Sequence, residues 1–255
     1  MNWHRSASAP PWCDGETRTP MLPEGFTAKL GARARPVPPS IAPNLRAAGL
    51  ILAEPNALSA PPLRAALSWI ARVPNLASIV EATVSEIHFL EAEPGYDISH
   101  SEPQWRTRIF VSIPDCDGAV GALRLAESIV HEAMHLHLTN LEERIPLVAN
   151  FNDLVASPWR IERRPYQGVL HGLFVFCAIA CFFEAVTKKE SLTPSSRYHV
   201  AKRMAQITDE LESIDLNGLC DGLTEPGAEL ARGCLATATP GSFGNVRRWD
   251  SSVRA

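Results

Sequence analysis

The sequence predicts a mainly α-helical fold with a small antiparallel β element (α+β) and a metal site between two core helices. Three observations carry this expectation. Ala126–Asn140 (AESIVHEAMHLHLTN) holds an HExxH motif, His131-Glu132-Ala133-Met134-His135, inside a run whose apolar residues recur at helical spacing without Gly or Pro. A second, strongly apolar helical run, GVLHGLFVFCAIACFFEAV, carries His171. Only two short stretches, SEIHFLEA and RTRIFVSIP, read as strands.

In chain order, residues 1–40 are rich in Pro, Arg and Ser and read as an arm with little regular structure. Helical patterning follows at Ile41–Glu54, at Pro61–Val73, where prolines at the start are tolerated, and at Leu76–Val84. Ser85–Ala92 and Arg106–Pro114 are the two strands, and the polar loop between them contains Ser99-His100-Ser101. A loop of about a dozen residues joining two strands predicts a hairpin or short ribbon. The motif helix runs from near Ala119 to about Glu143, and residues 144–165 read as a loop with Arg160, Arg163 and Arg164. Tyr166–Lys188 is the apolar helix, Thr193–Ser195 caps a helix over Ser196–Ile214, and the last helix covers Pro226–Ala238. The domain expectation is therefore an arm (1–40), one helical HExxH domain (41–238) and a loose tail (239–255).

Composition narrows the function classes. The chain has 255 residues, 45% of them apolar, enough to build a core. A net charge of −4 gives no electrostatic case for nucleic acid or a membrane surface. No apolar run is expected to span a membrane, and MNWHRSASAPPW lacks the apolar stretch of a signal peptide, so the expected location is cytoplasmic. Six cysteines in this length do not form a disulfide scaffold; Cys177 and Cys181 fall in an apolar helix and read as reduced and buried.

Residues four apart lie on one helical face, so His131 and His135 can aim two imidazoles at one ion, with Glu132 beside its open side. A third ligand is needed. A third His shortly after the second is ruled out, because Leu141 stands there. His171, on an apolar helical face, is the stronger remaining candidate, whereas Glu184 reads as a solvated helix end. Three neutral imidazoles suit Zn²⁺ with a bound water, or Fe²⁺ when an anionic ligand such as a keto acid fills the open positions. Two arginines could hold such an acid by its distal carboxylate. Arg124 lies two turns before His131, within about 20° of its face, and Arg164 precedes Pro165 at the start of the His171 helix.

With these residues assembled, the chain resembles the HExxH-motif family of peptide-modifying enzymes encoded beside small ribosomal peptides, members of which act as α-ketoglutarate-dependent peptide β-hydroxylases. The matching stretches are SHSEP at 99–103, RIFVSIP at 108–114, GALRLAESIVHEAMHLHLTNLE at 121–142, SPWR at 157–160 and RPYQGVLHGLFVF at 164–176. The resemblance covers about half the chain, and the first 40 residues take no part in it. It implies Fe(II) at His131, His135 and His171, α-ketoglutarate held by an arginine (Arg164 or Arg124), O₂ as oxidant, and a ribosomally made precursor peptide hydroxylated at a β-carbon. Glu132 then orients a ligand, and Ser99, His100 and Ser101 become candidates for substrate contact. Two other readings stay open. One is a zinc peptidase in which Glu132 is the general base. The other is a non-catalytic peptide-binding module with a structural metal, although structural zinc usually takes cysteine.

Overall fold

The computed structural model describes residues 25–189 and 192–238. Helices dominate, and the two longest lie at the centre: α5 (Gly118–Glu142) and α6 (Tyr166–Lys189). Around them come α1 (Phe26–Gly31), α2 (Ala42–Ala47), α3 (Ala60–Ile70), α4 (Pro74–Thr83), α7 (Pro194–Glu212), α8 (Leu216–Cys220) and α9 (Glu225–Ala238). The strands are β1 (Ile51–Ala53), β2 (Glu86–Glu91), β3 (Ser99–His100), β4 (Arg108–Ser112), β5 (Leu154–Ser157) and β6 (Arg160–Pro165). One hydrophobic cluster runs from Phe26 to Ala238, so every helix but α2 contributes to one core. A satellite of Ile41, Leu45, Leu90 and Phe110 packs on the other face of the sheet.

The helix expectations hold to within a few residues, with two corrections. The expected Ile41–Glu54 helix stops at Ala47, and Gly49, at φ 81°, turns the chain into β1. The expected arm 1–40 is structured in its described part: α1 buries Phe26 and Leu30 against α3, so the core begins ahead of residue 41. Residues 1–24 of the arm, and the expected tail 239–255, lie outside the described residues. The capping expectation at α7 is met, since the Thr193 side chain accepts a hydrogen bond from the Ser196 amide.

The β expectation is corrected in pairing and in extent. The two expected strands, β2 and β4, are neighbours, but they pair in parallel within a mixed four-stranded sheet ordered β1-β2-β4-β3. The chain leaves β2 and returns through β3, which pairs antiparallel with β4 (His100 opposite Phe110), so the long connection crosses over instead of closing a hairpin. The expected loop 144–165 contains a separate antiparallel pair, β5–β6. Its sequence shows no alternation of apolar and polar residues because nearly all of β6 is exposed.

One helix also departs from expectation. By length and composition Tyr166–Lys188 could cross a membrane, yet 72% of its most apolar window is buried inside the fold. Packing against α5, α7 and α9 accounts for its apolar character.

Candidate metal centre

α5 and α6 pack side by side, and their facing residues build the site. Positions i and i+4 on α5 bring His131 Nε2 to 3.2 Å from His135 Nε2. Two nitrogens bound to one ion at about 2.1 Å lie about 3.0–3.4 Å apart, so this pair has the bite of a chelate. Burial, with Arg203 nearby, holds the pKa of His131 down to about 4; burial and the neighbouring His131 hold that of His135 down to about 3. Both rings are therefore neutral with lone pairs to offer.

His171, from the second turn of α6, stacks on His135 and places its Nδ1 3.2 Å from His135 Nδ1. Its Nε2 lies 3.0 Å from Glu142 Oε2, which also accepts from Gln167 Nε2 at 2.8 Å. A carboxylate only accepts, so His171 Nε2 carries the proton and its Nδ1 keeps the lone pair. That lone pair takes the proton of His135 Nδ1, which leaves His135 Nε2 bare toward His131. The sequence thus brings the three imidazoles into one cluster, ordered by a carboxylate as metal-binding histidines usually are. As placed, however, His171 touches the far nitrogen of His135 and not the point between His131 and His135. Among the described residues no group of three His, Cys, Asp or Glu side chains is arranged around one ion position.

Glu132 is buried on the opposite flank, 3.9 Å from His131 Nε2. Its Oε1 accepts from Ser99 Oγ at 2.6 Å and its Oε2 from Ser101 Oγ at 2.5 Å. Both oxygens are therefore engaged by the loop of β3. Ser99 and Ser101, expected at the substrate, hold the carboxylate. His100 alternates to the other side, 6.1 Å from the Phe110 ring, with its Nε2 3.2 Å from Glu102 Oε1.

His131, Glu132, His135 and His171 line a cavity of about 520 Å³, which also takes in Ser99, His100 and Ser101. Its other walls include Trp159, Arg160, Arg164 and Phe176. Trp159 stacks on Phe176 at 5.1 Å, donates to Glu210 Oε2 at 3.0 Å, and lies so close over Gly172 that a Cβ there would overlap its ring. Arg164 lies over Gly168, where a Cβ would stand 3.2 Å from its guanidinium. Among the described residues it makes no ion pair.

Arg124 is the correction. It does not line the cavity. Its guanidinium donates to both Asp97 oxygens at 2.7 and 3.0 Å, to Asp115 at 3.3 Å and to Cys116 Sγ at 3.1 Å. Burial works to lower its pKa, and Asp97 and Cys116 more than offset that and raise it. The reason is distance along the axis: seven residues set it about 10 Å from His131, and two aspartates are nearer. Glu184 pairs with Lys188, as a helix end does.

Sequence reasoning missed Glu142, Trp159, Phe176 and Arg203. Glu142 had a signal, lying seven residues after His135 on the same face. Arg203 comes from α7, bonds Glu127 at 2.6 Å and lies 5.4 Å from the Phe176 ring, whose edge meets His131; no local pattern reveals that contact. Neither a family model nor a curated protein matches the chain.

Proposed function

We propose that the chain is a non-haem Fe(II)- and α-ketoglutarate-dependent oxygenase that hydroxylates a side-chain β-carbon of a ribosomally made peptide. The observation that carries this reading is a single cavity holding a neutral imidazole pair with a chelate's bite and an arginine that no carboxylate of the described residues matches. An unmatched arginine beside a metal position is suited to a bidentate carboxylate ligand.

His131 and His135 would hold the iron, with His171 as the third imidazole. Bound there, the iron supplies the activation of O₂ and the oxidation of an unactivated C–H bond. Glu142 fixes the proton on His171 Nε2, which leaves Nδ1 as the nitrogen that His171 would offer. Arg164 binds the distal carboxylate of the keto acid, at the entrance to α6 where the helix dipole adds to the attraction. Trp159 and Phe176 keep one wall apolar and exclude water. Glu132 ties the β3 loop to α5 through a serine hydroxyl on each of its oxygens.

The zinc peptidase is the second reading. The observation in its favour is the approach of Glu132 to His131, the place of a general base. Against it stands the serine pair on that carboxylate. Calorimetric titration of α-ketoglutarate into anaerobic, iron-loaded protein tests the proposal. Saturable binding that His171→Ala abolishes together with stoichiometric iron supports it. No binding to the wild type, together with peptide cleavage by the zinc form, replaces it with the peptidase.

A further inference from the structure

We propose that β6 is a docking strand: an extended, acidic segment of a peptide adds to its free edge and is thereby led across the cavity mouth. This deepens the reading above and rests on it for the peptide's fate, but not for its binding.

β5 and β6 form a two-stranded sheet of their own, and among the described residues no backbone hydrogen bond extends residues 160–165 beyond β5. A pair of this kind leaves an edge of unpaired amide and carbonyl groups, the feature to which extended peptides add. The ribbon is stiffened for that use. Val155 is buried beneath it, and Trp159, at the turn, is seated on Gly172 and bonded to Glu210 of α7.

Arg160 and Arg164 line the cavity. Between them the pairing with β5 slips: Arg164 lies opposite Val155 but Arg160 opposite Ser157, so residues 161–163 bulge opposite Ala156. Ile161 is fully exposed, and Leu154 and nearby Phe151 are about half to two-thirds exposed. A strand laid along β6 would thus meet the exposed Ile161 and run beside the cavity that Arg160 and Arg164 line.

Charge selects the occupant. β6 carries three arginines against one glutamate in a chain whose net charge is −4. Arg163 donates to the Leu154 carbonyl, and none of the three forms an ion pair among the described residues. A second copy of the chain would set arginine near arginine, which like-charge pairing disfavours. An acidic strand sets carboxylates against Arg160 and Arg163 and leaves Arg164 to the keto acid. Pro165, which has no amide to give, ends the usable edge.

The test uses the full-length, metal-free protein and a fluorescein-labelled heptapeptide, Asp-Val-Asp-Thr-Asp-Val-Asp, read by anisotropy. Hydrogen exchange follows the amides of 160–164. The proposal expects saturable binding that slows exchange there and weakens with salt. It should weaken about tenfold or more, roughly one factor per 1.4 kcal/mol, when alternate peptide amides are N-methylated, when Lys replaces Asp, or in Ile161→Glu/Arg163→Glu protein of unchanged circular dichroism. Binding that tolerates N-methylation, protection elsewhere than 160–164, or no saturable binding overturns it. Iron and α-ketoglutarate binding are measured on the same preparation. Their presence without peptide binding sinks the docking strand alone; their absence with peptide binding sinks the oxygenase alone.

Discussion

Arg124 on α5 and Arg164 on β6 carry the same group in opposite circumstances. Arg124 has its donors matched by two aspartates and a cysteine sulfur, and its side chain is only 18% exposed. Arg164 reaches a cavity of about 520 Å³ and is matched by no carboxylate of the described residues. The carboxylate of Glu132 belongs with Arg124, since a serine hydroxyl donates to each of its oxygens. A charge that the chain itself satisfies holds the fold. One that it leaves unsatisfied beside a cluster of neutral imidazoles is available to a ligand.

Substitution of the unmatched arginine should have the largest effect. Arg164→Ala should weaken α-ketoglutarate by about 2–5 kcal/mol, roughly thirty- to several-thousand-fold, in calorimetry of the anaerobic iron form. Iron content and urea denaturation should stay as in the wild type. A lowered midpoint with unchanged ligand affinity would reverse the comparison.

Ser99→Ala comes next. Removing one hydroxyl from a buried carboxylate should cost about 1.5–3 kcal/mol of stability in urea denaturation, with keto-acid affinity little changed. A rise in hydrolytic activity on zinc-loaded protein would show that the serines restrain a general base. Arg124→Ala should cost less, about 1–2 kcal/mol, because Asp97 and Asp115 are partly exposed and water screens the pairs. Its α-ketoglutarate affinity should match the wild type within about twofold, as expected of sites that share no partner. A large loss of affinity would place Arg124 at the site after all.

The pH dependence gives a separate check. His131 and His135 titrate near 4 and 3 in the fold and near 6.5 when unfolded. The unfolded chain therefore binds protons first as pH falls, and stability present above pH 6.5 is lost progressively toward pH 4. The metal-free protein should show a falling Tm between pH 7 and 4, and His131→Gln/His135→Gln should flatten the slope. An equal slope in the double variant would assign the titration elsewhere.

What the sequence made legible follows from locality. His131 and His135 stand one turn apart, so periodicity alone places them, and the same periodicity bounds α5, α6 and α9 to within about two residues. The parallel pairing of β2 with β4 depends on a partner 22 residues away, and the intervening chain looks like a hairpin loop. β6 has no alternation to read, because only Arg164 in it is even partly buried. The fate of Arg124 turned on Asp97, 27 residues earlier, and helical phase cannot see a competing partner in another element. The contact of Arg203 with Glu127 required α7 to be packed first.

The seat of Trp159 on Gly172 also has a mechanical side. The indole is a peg in a socket that hydrogen alone leaves open, one residue past His171 and tied to α7 by Glu210. The turn of the β5–β6 ribbon cannot swing away without drawing that peg and breaking its bond in the same motion. Any widening of the cavity by this route is then a single latched event instead of a graded breathing. Gly172→Ala, by filling the socket, would leave the latch permanently ajar.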